Sequence, residues 1–238
     1  MRVMVAADGL AKSFVLHLQG GVRLDVLRDV GLTVMAGECV VLAGRSGAGK
    51  STLLRMLYGN YRADDGRILI RHNETMVDLT QATTEQIIAV RHYSLGYVSQ
   101  FLRAIPRVPS LDIVAETLLR RGVDLAQARR QAAAMLERLG IGPRLHSLPP
   151  ATFSGGEQQR VNLARTFVAP WPVLLLDEPT ASLDAANRDE VVRLINEVKD
   201  AGAAVIGILH DISSRERIAD RTMTLTPLTN PSTSLESV

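Results

Sequence analysis

The stretch "GRSGAGKS", residues 44–51, matches the pattern G-x-x-x-x-G-K-[ST] of a phosphate-binding loop. An apolar run, "ECVVLA", precedes it, and the residues that follow place Leu53, Met56 and Leu57 on one side of a helix. A loop between a buried strand and a helix N-terminus directs its backbone N–H groups at an anion. The stretch therefore predicts an α/β fold that holds a nucleotide by its phosphates.

Each position of this loop has a predicted part in nucleotide binding. Backbone N–H groups would face the α- and β-phosphates, the Lys50 ammonium would reach the β- and γ-phosphates, and the Ser51 hydroxyl would bind Mg²⁺. A glycine-rich turn that only joins strand to helix is the alternative, but the Lys-Ser pair and the flanking pattern favour the phosphate loop. The predicted ATP-binding residues of the loop are Gly44, Arg45, Ser46, Gly47, Ala48, Gly49, Lys50, Ser51 and Thr52.

A second stretch, "VLLLDEP" at residues 173–179, predicts a central strand with acidic residues at its end. Asp177 and Glu178 would lie at the carboxyl end of that strand, where α/β sheets bind ligands. Asp177 suits a partner of Mg²⁺, directly behind it or through water, and Glu178 suits a general base that takes a proton from water. Read alone, the stretch could be a solvated turn at a strand end; the phosphate loop makes the catalytic reading stronger.

The stretch "FSGGEQQR", residues 153–160, predicts a helix that starts with two glycines. Ser154 and Glu157 are spaced as a capping box, which would secure the start of the helix without the two glycines. Glycine costs roughly 0.8–1 kcal/mol against alanine in a helix interior, and less at an end, so Gly155 and Gly156 need a reason of their own. The close approach of an anion to the first turn would be such a reason, and a plain cap is the alternative.

The whole-chain composition limits the function classes. The chain has 238 residues, 46% of them hydrophobic, and a formal net charge of +2, too small to predict a nucleic-acid or anionic-membrane surface. Cys39 lies in an apolar run, which predicts a buried thiol and a reducing compartment. Nowhere do about 18 apolar residues run together, so we expect a cytoplasmic protein without direct membrane insertion, whose membrane role, if any, comes through a partner.

The order of elements changes along the chain. Strand-like pieces broken by Gly and Asp turns, with one helix, occupy the first half, and helical patterns begin at about Ser110. Strand, helix and strand then alternate from "VLLLDEP" to "AAVIGILHD", which predicts a buried parallel sheet. The Ser/Thr/Pro-rich end, residues 227–238, predicts a disordered tail.

The phosphate loop, "FSGGEQQR", "LLLDEPTASLD" and "ILHD", in this order, resemble the nucleotide-binding domain of ATP-binding-cassette (ABC) ATPases. The resemblance covers residues 1–226 and implies a P-loop NTPase fold with a mainly parallel core sheet, an antiparallel β subdomain and a small helical lobe at about 103–165. It also implies hydrolysis of ATP with Mg²⁺ in a sandwich of two subunits, as a homodimer or with another ABC subunit. Ser154, Gly155, Gly156 and Glu157 of one subunit would then cover the ATP of the other.

The same resemblance assigns roles to four further residues. It implies that Phe14 stacks on adenine, that Gln100 serves Mg²⁺ and couples the lobes, that Asp184 lies at the dimer seam, and that His210 contacts the γ-phosphate. Each has a plainer reading, since Phe14 could be core and a lone histidine is usually structural.

Four stretches, among them residues 53–68 and 97–114, resemble the L subunit of the bacterial carbon–phosphorus lyase system, which breaks down phosphonates. This finer resemblance implies partnership with the other lyase subunits and an accessory place in forming α-D-ribose 1-methylphosphonate 5-triphosphate. The alternatives are the ATP-binding motor of a membrane transporter of the lipoprotein-release type and a small-molecule kinase. "FSGGEQQR" disfavours the kinase.

Overall fold

The computed structural model of the chain describes residues 2–16, 21–100, 102 and 106–228. The described strands are β1 (Val3–Leu16), β2 (Val22–Met35), β3 (Cys39–Ala43), β4 (Asp65–His72), β5 (Thr75–Asp78), β6 (Leu95–Val98), β7 (Val173–Asp177), β8 (Ala204–Ile208) and β9 (Arg221–Thr224). The described helices are α1 (Lys50–Leu57), α2 (Thr84–Tyr93), α3 (Ser110–Leu119), α4 (Leu125–Arg138), α5 (Pro143–His146), α6 (Gly155–Phe167), α7 (Ala185–Asp200) and α8 (Ile212–Ile218).

Five strands form a parallel sheet in the order β6–β7–β8–β3–β9. Every residue of β7 and β8 is buried, as expected for strands covered on both faces of the sheet. In β3, Cys39 and Val41 pack into one hydrophobic cluster and Val40 and Leu42 into the other. The phosphate loop therefore follows an interior strand of a parallel sheet, as its flanking sequence predicts.

Four strands form a separate antiparallel sheet in the order β2–β1–β4–β5. The expectation of short strands broken at Gly and Asp is wrong here, because β1 and β2 are each 14 residues long. Gly9 and Asp29 have φ angles of 59° and 51° inside these strands, and the pairing register shifts between Ala7 and Leu10. The turn-forming residues thus make bulges that bend the strands without ending them.

Helices α3, α4 and α6 contact one another and, with α7, bury one cluster against the parallel sheet. Ser110, which the pattern suggests as a helix cap, is instead the first residue of α3, and its Oγ donates to the carbonyl of Leu145 at 2.8 Å. The helices lie between Ser110 and Phe167, while residues 103–105 of the expected lobe and residues 229–238 of the expected tail lie outside the described residues.

Cys39 is buried, as its apolar surroundings predict, and burial raises the pKa of its thiol to about 12. Within the described ranges, no helix has the length and apolar character to cross a membrane.

Candidate active site

Two glycines of the phosphate loop are required by close packing. Gly44 has a φ of 138°, and a Cβ there would lie 2.3 Å from the Leu225 carbonyl oxygen. Gly49 caps α1 with a φ of 87°, and a Cβ there would lie 2.6 Å from a methyl carbon of Leu27. Residues with a Cβ rarely adopt such angles and would clash here, so the loop keeps its shape only with glycine at both positions.

Lys50 spans this loop. Its Nζ donates to the carbonyls of Gly44 at 2.8 Å and Arg45 at 3.0 Å, and the residue is only 9% exposed. Residues 44–47 are exposed, so the loop is open to a ligand on the side away from the core. The ammonium is therefore held at the open face of the loop, where a phosphate would meet it.

Asp177 lies at the end of β7 and is 1% exposed. Its Oδ1 accepts from the Ser51 hydroxyl at 2.9 Å, and its Oδ2 accepts from the Tyr97 hydroxyl at 3.1 Å. The phosphate loop and the acidic strand end, 126 residues apart in sequence, thus meet directly.

Glu178 follows in an uncommon backbone conformation, with a φ of 55°. Its N–H donates to the carbonyl of Ile208 in β8 at 3.1 Å, which helps to hold this turn. Its Oε2 accepts from Gln100 Nε2 at 3.2 Å, and its Oε1 lies 2.9 Å from His210 Nε2. The ends of β6, β7 and β8 therefore bring three predicted site residues together, and left-handed geometry at a non-glycine residue is typical of functional sites.

The oxygens near the loop suit a hard cation. Mg²⁺ is usually held by one or two carboxylates together with phosphate oxygens and water, and the Ser51 hydroxyl and Asp177 carboxylate are adjacent at 2.9 Å. In the part of the chain that the structure describes, no group of three or more His, Cys, Asp or Glu residues could hold a metal by itself. These residues fit an ion that arrives with a nucleotide.

The capping box at the start of α6 is confirmed. Ser154 Oγ accepts from the Glu157 N–H, and the Glu157 carboxylate accepts from the Ser154 N–H at 2.8 Å. The two glycines differ: a Cβ at Gly156 would lie 3.0 Å from the Ser182 carbonyl oxygen, whereas a Cβ at Gly155 would meet nothing within 4 Å. Packing within this chain therefore explains Gly156 in part and leaves Gly155 facing open space.

Phe14 and Asp184 have visible structural roles. The half-buried ring of Phe14 meets Tyr61 edge-on, with centroids 5.4 Å apart, and Phe14 pairs across the sheet with Leu24. This strand pair continues to Val26, which borders Gly49 of the loop. Asp184 caps α7 by accepting from the Asn187 N–H at 2.8 Å. The adenine contact of Phe14 and the seam role of Asp184 stay predictions.

One site residue, Tyr97, is missing from the set predicted from sequence, although it lies only three positions before Gln100. A signal for it exists, because β6 and β7 are parallel neighbours whose carboxyl ends share one edge of the sheet. A polar side chain near the end of β6 therefore falls beside Asp177.

A family model described as "ABC transporter" matches residues 27–181, a span that contains the phosphate loop, the α6 start and the acidic strand end. The chain belongs to the ABC transporter family. This ABC chain is 35% identical over 224 residues to the lipoprotein-releasing system ATP-binding protein LolD of Shewanella sp. (strain MR-4), covering 94% of this chain and 93% of that protein. It is 32% identical over 210 residues to the macrolide export ATP-binding/permease protein MacB of Sodalis glossinidius, covering 88% of this chain and 31% of that protein.

Solved structures confirm the ABC ATPase cassette fold. A dimeric structure of MJ0796, titled a bacterial ABC transporter cassette, superposes with a TM-score of 0.84 at 25% identity and covers 94% of each chain. A dimeric post-hydrolysis state of MJ0796 bound to ADP and Pi has a TM-score of 0.85 at 25% identity, covering 95% of this chain and 97% of that one. Together with the named relatives, they support the family and favour the transporter alternative over the phosphonate reading.

Proposed function

We propose that this ABC chain hydrolyses ATP with Mg²⁺ as one of a pair of cassettes, and that it supplies this energy to a larger assembly. The observation that carries the proposal is the convergence of Gln100 and His210 on Glu178, beside the Ser51–Asp177 contact and the open face of the phosphate loop. The named relative and the MJ0796 dimer support the pairing and the ATP chemistry as properties of those proteins.

The residues divide the chemistry among them. Lys50 and the loop N–H groups would bind the β- and γ-phosphates, and Ser51 and Asp177 would hold the Mg²⁺, which neutralises phosphate charge when it is bound. Water would form a bond to the γ-phosphorus while the bond to the β–γ bridging oxygen breaks, and Glu178 would take the water's proton. Gln100 and His210, each in contact with the Glu178 carboxylate, would orient it.

The open face at Gly155 supports the pairing of cassettes. Ser154 and Glu157 already satisfy the helix cap, and nothing within 4 Å of a Cβ at Gly155 explains a glycine in this chain alone. The positive end of the α6 dipole would lie over the γ-phosphate of an ATP bound to a second chain. The glycine then allows that phosphate to approach the backbone closely.

A cleft of about 660 Å³ is the candidate surface for the rest of the assembly. Its lining comes from the end of α1, from α2, β6, α3 and α6, and it includes Gln100 and Asp177. Ile88 on α2 lines it and is 48% exposed. A partner seated here would contact the same residues that surround the nucleotide site, which couples binding to hydrolysis.

Two kinds of assembly are candidates for the partner that binds in this cleft. A membrane permease of the lipoprotein-release type is favoured by the 35% identity to LolD across nearly the whole chain. The carbon–phosphorus lyase subunits are supported by residue resemblance alone, and part of the stretches that carry it also lines the cleft. Residues 53–68 and 97–114 contribute these lining residues: Arg55, Tyr58, Asn60, Tyr61, Tyr97, Ser99 and Gln100.

Co-purification separates the two assemblies. We expect the tagged chain, co-expressed in turn with permease subunits of its host and with phosphonate-lyase subunits, to be recovered with the permease in detergent. Ile88→Asp should abolish that recovery because it replaces an exposed apolar side chain of the cleft, which a partner would cover, with a charge. Leu125→Asp, at an equally exposed position on α4 outside the cleft lining, is the matched control and should retain it. Recovery with the soluble lyase subunits would overturn the permease assignment and establish the phosphonate one.

A further inference from the structure

Tyr97 donates a hydrogen bond to Asp177 in the candidate active site, a contact that the sequence motifs do not predict. β6 pairs in parallel with β7 and sets Tyr97 opposite Leu175, and the hydroxyl reaches forward to Asp177 Oδ2 at 3.1 Å. The other oxygen of the same carboxylate, Oδ1, accepts from Ser51. Each oxygen of the buried carboxylate thus has a protein donor among the described residues, and the two donors together set its rotation about the Cβ–Cγ bond.

The ring of Tyr97 is held firmly. It stacks on Tyr58 with centroids 4.8 Å apart and an interplanar angle of 24°. Tyr58 is itself held by Arg91, whose Nε donates to the Tyr58 carbonyl at 2.8 Å and whose guanidinium lies 4.8 Å from the Tyr58 ring centroid. The stack on Tyr58, which Arg91 holds in turn, restrains the Tyr97 ring and so limits how far its hydroxyl can move away from Asp177.

The direction of this hydrogen bond follows from the chemistry of its two partners. A tyrosine hydroxyl carries an O–H donor, whereas an ionised carboxylate can only accept. The Tyr97 hydroxyl therefore donates to Asp177 Oδ2, which lies 3.1 Å away.

We infer that Tyr97 is a positioning residue that fixes the Asp177 carboxylate in the orientation that holds the nucleotide's Mg²⁺ beside Ser51. The inference rests on the proposed ATPase function and adds a residue to that site. Tyr97 touches neither the phosphate nor the water in this role. It acts through Asp177, so its loss should weaken the metal-dependent part of nucleotide binding and spare the part that the phosphate loop supplies.

The test is Tyr97→Phe, which removes one oxygen and keeps the stacked ring. The binding of a fluorescent ATP analogue is measured in EDTA and across a Mg²⁺ titration, together with the thermal midpoint. We expect unchanged affinity in EDTA, an unchanged midpoint within about 2 °C, and a Mg²⁺ concentration for half-maximal binding that is raised about tenfold. That factor corresponds to about 1.4 kcal/mol, within the usual range for one hydrogen bond.

Tyr58→Phe is the matched control, because it removes the same atom from the ring stacked on Tyr97 and leaves the Asp177 contact in place. It should leave the Mg²⁺ titration unchanged. Equal Mg²⁺ requirements in Tyr97→Phe and wild type would overturn the inference, as would a parallel loss of affinity in EDTA. A wild-type chain that binds the analogue without any response to Mg²⁺ would instead overturn the proposed ATPase function.

Discussion

Glu178→Gln is expected to lower ATP hydrolysis by about 10²- to 10⁴-fold and to trap the chain as an ATP-bound dimer. The amide keeps the size of the side chain, and its single oxygen can still accept a hydrogen bond from Gln100 or His210, but it cannot take a proton from water. The γ-phosphate that joins the two chains therefore stays in place. Phosphate release measures the hydrolysis, and size-exclusion chromatography with light scattering, with and without Mg-ATP, measures the dimer.

The control for this trapped dimer is a second change at the α6 start. Gly155→Asp in the Glu178→Gln background should return the protein to monomer, because a carboxylate there repels the phosphate of the facing chain. Position 155 is a better choice than position 156 for this test. A Cβ at Gly156 would lie only 3.0 Å from the Ser182 carbonyl oxygen of its own chain, so a substitution there could also disturb the fold. ATP affinity of the chain's own loop should not change. A Glu178→Gln protein that holds ATP yet stays monomeric at high concentration would contradict the self-pairing.

Lys50→Ala is expected to weaken Mg-ATP binding by about 10- to 100-fold, the equivalent of losing about 1.5–3 kcal/mol of charge-assisted hydrogen bonding. Lys50 is nine-tenths buried beside the exposed residues of the loop, where solvent screens its charge poorly, so that charge would act at close range on the phosphates. Isothermal titration with a non-hydrolysable ATP analogue measures the loss.

Folding must be checked for this variant, because Lys50 also bonds to the Gly44 and Arg45 carbonyls. A far-ultraviolet circular dichroism spectrum and a thermal melt that match those of the wild type would show that the substitution affects the loop and leaves the fold intact. Arg130→Ala removes one exposed cation from α4 and serves as the charge-matched control. Wild-type affinity in a folded Lys50→Ala protein would rule out the phosphate-loop assignment.

Several features could be predicted from sequence because short-range chemistry decides them. The phosphate loop follows from glycines and a Lys-Ser pair within eight residues, and the start of α6 from a Ser-Glu spacing of three. The burial of β7 follows from a run of apolar residues that only a covered strand accommodates. In each case the residues that determine the structure are neighbours along the chain.

The bulged strands of the antiparallel sheet show where local patterns mislead. Gly9 and Asp29 have the residue types of turns, and they adopt the positive φ angles of turns. Pairing along both sides of these residues nevertheless keeps β1 and β2 continuous, because the ladder hydrogen bonds outweigh a single local bend.

The sequence by itself determined the kind of protein, a nucleotide-binding α/β cassette, and most of the residues that would touch the phosphates. Only the tertiary structure decided how they are held. Gly44 is constrained by the Leu225 carbonyl, and Glu178 is held in left-handed geometry by a hydrogen bond to Ile208. Tyr97 donates to Asp177 from the neighbouring strand. These partners lie 30 to 181 residues apart, so no local pattern encodes them. Their meeting depends on strand order in the folded sheet, which is set by the summed burial of the whole chain.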